Sequence, residues 1–174
     1  SLGISLTPYK ICSFNCIYCQ LGKTTNITSE RKEYIPVDEI ISELKLWLQN
    51  NRPEAKEVNY ITLSGAGEPA LNIKVGELIL EIKNLTSIPV AVITNASLLN
   101  DASVRQALLG ANLIIPSLDA PTQEIMARIN RMHPDIKIEN IIEGLVSLKK
   151  EFHGQISLEV MLVKGVNDDL RYIK

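Results

Sequence analysis

The chain has 174 residues, enough for one domain with a hydrophobic core and too few to expect two. Its 45% hydrophobic and 22% charged residues are ordinary for a globular domain, and no run of about 18 apolar residues is present to span a membrane. The net charge of −2 excludes the broad basic excess of a module devoted to a nucleic-acid backbone.

The opening "SLGISLTPYK" has no basic stretch followed by an apolar core, so it does not read as a secretory signal. It also lacks an initiator Met, so residue 1 is expected to be a fragment boundary. The first strand is expected over Leu2–Thr7. A polar loop follows, then a helix over Val37–Gln49, with Pro36 at its entry and two acids in its first turn. Within it Ile40, Ile41, Leu44 and Leu48 repeat at helical spacing and define one buried face. Strands over Val58–Ser64, Pro89–Thr94, Asn112–Ser117 and Ile156–Val163 alternate with helices over Ile73–Asn84, Asp101–Leu109, Thr122–Asn130 and Ile138–Glu151. Asn100 or Asp101 is placed to cap the third helix, and Pro121-Thr-Gln-Glu suits the start of the fourth.

Most of these strands are nearly continuous Val, Ile and Leu, the pattern of parallel strands covered on both faces. Strand–helix alternation implies right-handed crossovers, in a doubly wound open sheet or a curled β/α barrel. A closed barrel takes roughly 250 residues, so the barrel version is α/β with about five β/α units in a partial barrel. Every strand runs into residues able to do chemistry: the cysteine loop, Gly65–Ala70, Thr94–Ser97, Ser117–Ala120 and Lys164–Asp168. In parallel α/β folds those carboxyl ends share one rim, where sites are built.

All three cysteines, Cys12, Cys16 and Cys19, stand in "KICSFNCIYCQLG". An odd number with no thiol elsewhere argues against a disulfide framework and for a reducing compartment, with the cytoplasm as the expected location. Thiolates are ligands for zinc, copper(I) and iron–sulfur clusters. A closed zinc site takes four ligands, yet His133 and His153 form no ligand-spaced pair. A 4Fe–4S cube normally takes four cysteines, so three would leave one iron open.

This Cys-x3-Cys-x2-Cys spacing, with Tyr18 just before the last Cys, resembles the radical S-adenosylmethionine (SAM) enzymes. The resemblance implies that the open iron is chelated by SAM. One electron then cleaves the sulfonium to methionine and a 5′-deoxyadenosyl radical, which abstracts hydrogen from a substrate. It also implies an external one-electron donor of flavodoxin or ferredoxin type.

"SGAGEPA" matches the dinucleotide fingerprint, but Glu68 would set a carboxylate beside the phosphates and the next strand ends in Thr94-Asn95, not an acid. It resembles instead the Gly-Gly-Glu-Pro motif of the radical enzymes, with Ala66 replacing its first Gly and Gly65 one place earlier. On that resemblance Gly65, Gly67, Glu68 and Pro69 hold the methionine ammonium, and Asn95 and Ser117 fall near the ribose or methionine carboxylate, with Asp119 beside them. Each of these last three also suits a turn or cap. Gly165-Val166 falls near the adenine on the same basis. No substrate acid, base or second radical carrier can be named; Tyr9, Tyr34 and Tyr60 read as packing residues.

The segments "YCQLGKTTNITSERKEYIP" and "EVMLVKGVNDD" are similar to an Fe–S oxidoreductase subfamily related to the wybutosine-synthesising radical enzymes, which act on tRNA. That family's partial barrel has a sixth β/α unit; the sequence ends at Lys174 after the fifth strand, so one core domain without its sixth unit is expected. Three readings stand: a radical SAM oxidoreductase of unknown substrate, a tRNA-modifying member with Lys23, Arg31 and Lys32 as a basic flank, and a non-catalytic metal-binding module. Replacing Cys16 with Ala is expected to abolish cluster assembly and spare the fold, on the view that the loop lies outside the core.

Overall fold

A computed structural model describes residues 1–172. Along the chain run β1 (Leu2–Ser5), β2 (Ile11–Cys12), β3 (Asn26–Ile27), α1 (Val37–Asn50), α2 (Arg52–Lys56), β4 (Ile61–Ser64) and a 3-10 turn (Pro69–Leu71). Then come α3 (Val75–Leu85), β5 (Val90–Thr94), α4 (Ala102–Leu108), β6 (Leu113–Pro116), α5 (Gln123–Ile129), α6 (Ile138–Glu151) and β7 (Gln155–Ile156).

Strand order separates the two expected architectures. The main sheet runs β1-β4-β5-β6-β7, every neighbour parallel, so spatial order follows chain order. A doubly wound sheet would reverse direction at a switch point. Sequential parallel strands with helical crossovers form an open part of a β/α barrel. Helix packing follows the same succession, α1 against α3 and α3 against α4.

The core lies between this sheet and its helices. Ile61, Leu63, Val90, Val92 and Ile114 from the strands meet Leu78, Ile79, Ile82, Val104 and Leu108 from the helices, all fully buried. Of the expected stripe of α1, Ile40, Ile41 and Leu44 are buried, joined by Val37, and Leu48 is partly buried. Caps fall where the sequence places them: the Asp101 carboxylate accepts from Ser103 N at 2.7 Å, and Thr122 Oγ1 accepts from Ile125 N at 3.3 Å. Gln123 Oε1 accepts from Ile138 N at 2.8 Å, tying the start of α6 to α5.

Three expectations need correction. The short α2 is not among the expected elements, although Pro53 and Glu54 are the residues of a helix start. The fifth strand is much shorter than Ile156–Val163. Its ladder continues as far as Glu159, where Glu159 N donates to Pro116 O and Leu118 N to Glu159 O. Past that point the Asp119 carboxylate takes Met161 N at 2.9 Å and draws the chain out of register. Leu158, Val160 and Leu162 are left about half exposed, because no strand pairs beyond them among the described residues. Finally, the cysteine loop is not outside the core: Phe14 is 4% exposed within it, and Ser13 and Thr24 are buried beside it.

Candidate functional site

The cysteine loop is held by two devices. Its base is a two-residue parallel ribbon, in which Ile11 and Cys12 of β2 pair with Asn26 and Ile27 of β3. Its crown sits on the end of α5, whose last carbonyls have no partner within the helix. Asn15 N donates to Asn130 O and Ile17 N to Ile129 O, both at 2.9 Å. Within the loop Cys19 N donates to Cys16 O, and Gly22, at φ +77°, donates back to Cys19 O.

The three thiols are partly buried, and none is oxidised to a disulfide. Burial pushes the Cys12 thiol up to about 12, with the Glu68 carboxylate adding to it. Burial also raises Cys16, against a lowering contribution from Asn130. Each sulfur has a nitrogen donor within reach. Phe14 N reaches Cys12 Sγ at 3.5 Å, with Asn95 Nδ2 nearby at 3.6 Å. Asn130 Nδ2 reaches Cys16 Sγ at 3.4 Å, and Lys10 Nζ reaches Cys19 Sγ at 2.8 Å.

The loop after β4 closes over this ribbon. A Cβ on Gly67 would stand 1.7 Å from Ile11 O, and one on Gly65, at φ +78°, would strike Ser5 within 2.5 Å. Both glycines therefore seat the loop directly on the chain leading into the cysteines. Glu68 N donates to Ile11 O at 3.2 Å, and Thr7 Oγ1 lies buried beside Gly67 without a hydrogen-bond partner. Ala66, the departure from the strict motif, donates its N–H to Ser5 Oγ at 3.1 Å. Pro69 opens the 3-10 turn, where its missing N–H costs nothing.

Glu68 is 2% exposed, and its carboxylate is already engaged. Oε1 accepts from Ala70 N at 3.0 Å and Thr94 Oγ1 at 2.6 Å, while Oε2 accepts from Asn95 N at 2.7 Å. Burial raises its pKa above the ordinary carboxylate range, opposed by those three donors. The carboxylate thus clamps the end of β4 to the end of β5. Asn95 passes the connection on, since its Nδ2 donates to Ser13 Oγ at 2.8 Å and its Oδ1 accepts from Ser97 N at 3.0 Å.

Asp119, 6% exposed at the end of β6, is a second hub. Oδ2 accepts from Tyr18 Oη and, at 2.7 Å, from Asn130 Nδ2; Oδ1 accepts from Met161 N. The Tyr18 hydroxyl is pushed up by burial and then by the neighbouring Cys16. Tyr18, Ser117, Asp119, Glu159, Val160 and Met161 line a hollow of about 340 Å³ beside the cysteine loop. A hollow of about 320 Å³ between β1 and α1, lined by Ile4, Leu44 and Trp47, contains no residue of this constellation.

The structure thus brings Cys12, Cys16, Cys19, Tyr18, Gly67, Glu68, Asn95 and Asp119 into one connected network, with Gly65, Pro69 and Ser117 on the same rim. Gly165 and Val166 lie further round, where Gly165 O accepts from Arg128. Sequence reading missed Lys10, Ser13, Thr94 and Asn130. All four are buried polar residues whose partners lie from 9 to 114 residues away, and no local spacing assigns them a role. Of the expected basic flank, Lys23 is exposed, while Arg31 and Lys32 have partners within the chain. Arg31 donates to Ala70 O and Ser103 Oγ and faces Asp101 at 3.9 Å, and Lys32 pairs with Glu30 at 3.2 Å.

The donor set fits an iron–sulfur cluster: three thiols on one anchored loop, each with an N–H donor, and no fourth cysteine in the chain. Among the described residues no three His, Cys, Asp or Glu side chains converge on one metal ion's position. No helix there is long and apolar enough to cross a membrane.

Comparison with known proteins agrees. The chain is 46% identical over 97% of its length to a protein of Brachyspira hyodysenteriae named GTPase Obg, of which it covers 24%. It is 40% identical over 94% of its length to a UPF0026 protein of Synechocystis sp., covering 60% of that protein, and 33% identical to one of Methanocaldococcus jannaschii, covering 51%. The chain therefore spans between about a quarter and three fifths of these curated relatives. Among solved structures, TYW1 with a lysine-pyruvate adduct bound shares the fold over 98% of this chain and 59% of its own, at TM-score 0.67 and 23% identity. The enzyme anSMEcpe with bound AdoMet does so over 91% of this chain and 43% of its own, at TM-score 0.58 and 21% identity. The family model for the radical SAM superfamily matches residues 6–172, and the chain belongs to that superfamily, whose cofactors are a 4Fe–4S cluster and SAM.

Proposed function

We propose that Cys12, Cys16 and Cys19 hold the 4Fe–4S cluster and that the chain reductively cleaves SAM to begin hydrogen abstraction from a substrate. The observation carrying this reading is the loop itself: every cysteine of the chain lies on it, no fourth cysteine exists, and Lys10 before β2, Asn95 after β5 and Asn130 at the end of α5 supply donors to it. When bound, the cluster delivers one electron to the sulfonium of SAM from a donor of flavodoxin or ferredoxin class.

The chain's own residues position and shield. Glu68 holds two strand ends together, and its three internal donors leave one of about four acceptor positions for the methionine ammonium. Asn95 orients the Cys12 side of the loop, and Asp119 with Tyr18 fixes the Cys16 side. Ser117, on the wall of the hollow beside the loop, is assigned to the ribose or methionine carboxylate. A tRNA substrate rests on the resemblance of the sequence segments; Arg31 is engaged with Ala70 O, and the exposed Lys23 and Lys32 alone are too few to form a row for phosphates. A lone zinc ion is less well served, because the thiols do not converge on one position.

The test is anaerobic reconstitution, reduction with dithionite and assay of 5′-deoxyadenosine from SAM. The wild-type chain is expected to release it and Cys16→Ala to release none. Release by Cys16→Ala at the wild-type rate would overturn the ligand assignment.

A further inference from the structure

Lys10 is buried, at 2% exposure, a rare environment for an ammonium without a partner. Its Nζ donates to Cys19 Sγ at 2.8 Å and to Gly22 O at 2.5 Å, and no carboxylate pairs with it among the described residues. A buried cation is costly unless an anion faces it. Of its two hydrogen-bond partners, only the Cys19 sulfur is able to carry negative charge. The site is built rather than incidental: Lys10 N donates to Thr25 Oγ1 at 3.2 Å, and Lys10 O accepts from Thr25 Oγ1 and Asn26 N. The ribbon thereby fixes the residue two places before Cys12 so that its side chain crosses to the far end of the loop. Cys12 and Cys16 receive amide donors; Cys19 alone receives a full positive charge.

We infer that the Lys10 ammonium is an electrostatic positioning group that raises the reduction potential of the cluster bound at Cys19. Reduction adds one electron to a cluster already made negative by three thiolates, so a nearby buried cation favours the reduced form. Hydrogen bonds to ligand sulfurs and local charge are established levers on such potentials. A unit charge a few ångströms away, at an effective dielectric near 20, is worth at least about tenfold in the reduction equilibrium. Tenfold is 59 mV for a one-electron couple.

This inference rests on the assignment of Cys19 as a ligand, and the experiment separates the two. Wild type, Lys10→Met, Lys10→Gln and Lys10→Arg are reconstituted, analysed for iron and sulfide, and titrated with dithionite under mediators while the reduced cluster is followed by electron paramagnetic resonance. Lys10→Met and Lys10→Gln are expected to lower the reduction equilibrium constant at least tenfold at wild-type iron content, and Lys10→Arg to stay within threefold. Retention of the cluster by Lys10→Arg but not by the neutral variants would equally support the inference, since binding then follows charge. Wild-type potentials in the neutral variants would overturn it, as would Lys10→Arg failing alongside them. A wild-type chain that binds no cluster refutes the ligand assignment first.

Discussion

Replacing Glu68 by Gln tests whether the carboxylate clamps two strand ends. The carboxylate serves three buried donors: Ala70 N, Thr94 Oγ1 and Asn95 N. Gln keeps the shape but offers one carbonyl oxygen. With that oxygen in the Oε1 position, its NH2 faces the Asn95 N–H; in the flipped orientation it faces the Ala70 N–H. Either way one backbone donor is orphaned at a residue only 2% exposed. An orphaned buried donor costs about 1–3 kcal/mol, so Tm should fall by roughly 3 to 10 °C for a domain of this size. Glu68→Leu strands all three donors and should cost at least about 3 kcal/mol. Thermal and urea unfolding of the purified chains measure both. A Glu68→Gln chain within about 0.5 kcal/mol of wild type, the range of a surface change, would refute the clamp.

Gly67→Ala would place a Cβ 1.7 Å from Ile11 O, so the cysteine loop must move; about 1–3 kcal/mol of destabilisation and reduced iron per chain are expected from unfolding and metal analysis. Asn130→Ala removes the donor shared by Cys16 and Asp119 and should cost about 1–3 kcal/mol. Its iron content should fall further than the loss of stability accounts for. Arg105 holds Glu151 through two contacts of 2.9 and 3.0 Å and lowers its pKa below the ordinary 4.5. A depressed carboxyl pKa contributes stability above the unfolded value and loses it as pH falls through the folded one. The deficit of Glu151→Gln relative to wild type should therefore be full at pH 7 and shrink below about 4.5, read by urea unfolding of cluster-free chains.

Much of the fold follows from periodicity. Helix α6 begins and ends at Ile138 and Glu151 as its pattern demands, and Asp101 and Thr122 act as the caps their positions suggest. The candidate cysteines and Glu68 were visible because their chemistry is concentrated in short, spaced motifs. Lys10 and Asn130 were not, because a lysine or asparagine gains its meaning here from a sulfur 9 or 114 residues away. The glycines were legible as points of close approach, but the neighbour they admit is the chain entering the cysteine loop. The fifth strand shows where pattern fails: its apolar run is intact, yet the Asp119 carboxylate removes Met161 N from the ladder. The expected basic flank loses Arg31 for a related reason. Charge is local in sequence, but whether a charge is free depends on partners such as Ala70 O and Glu30.

The most direct measurement is the iron and sulfide content of the oxygen-free, reconstituted chain, joined to its reduced paramagnetic spectrum before and after SAM is added. Three thiols gripping a cube with one corner open should give about four iron and four sulfide per chain and a spectrum that changes on SAM addition. One zinc without sulfide, or a spectrum indifferent to SAM, would contradict the account at its root.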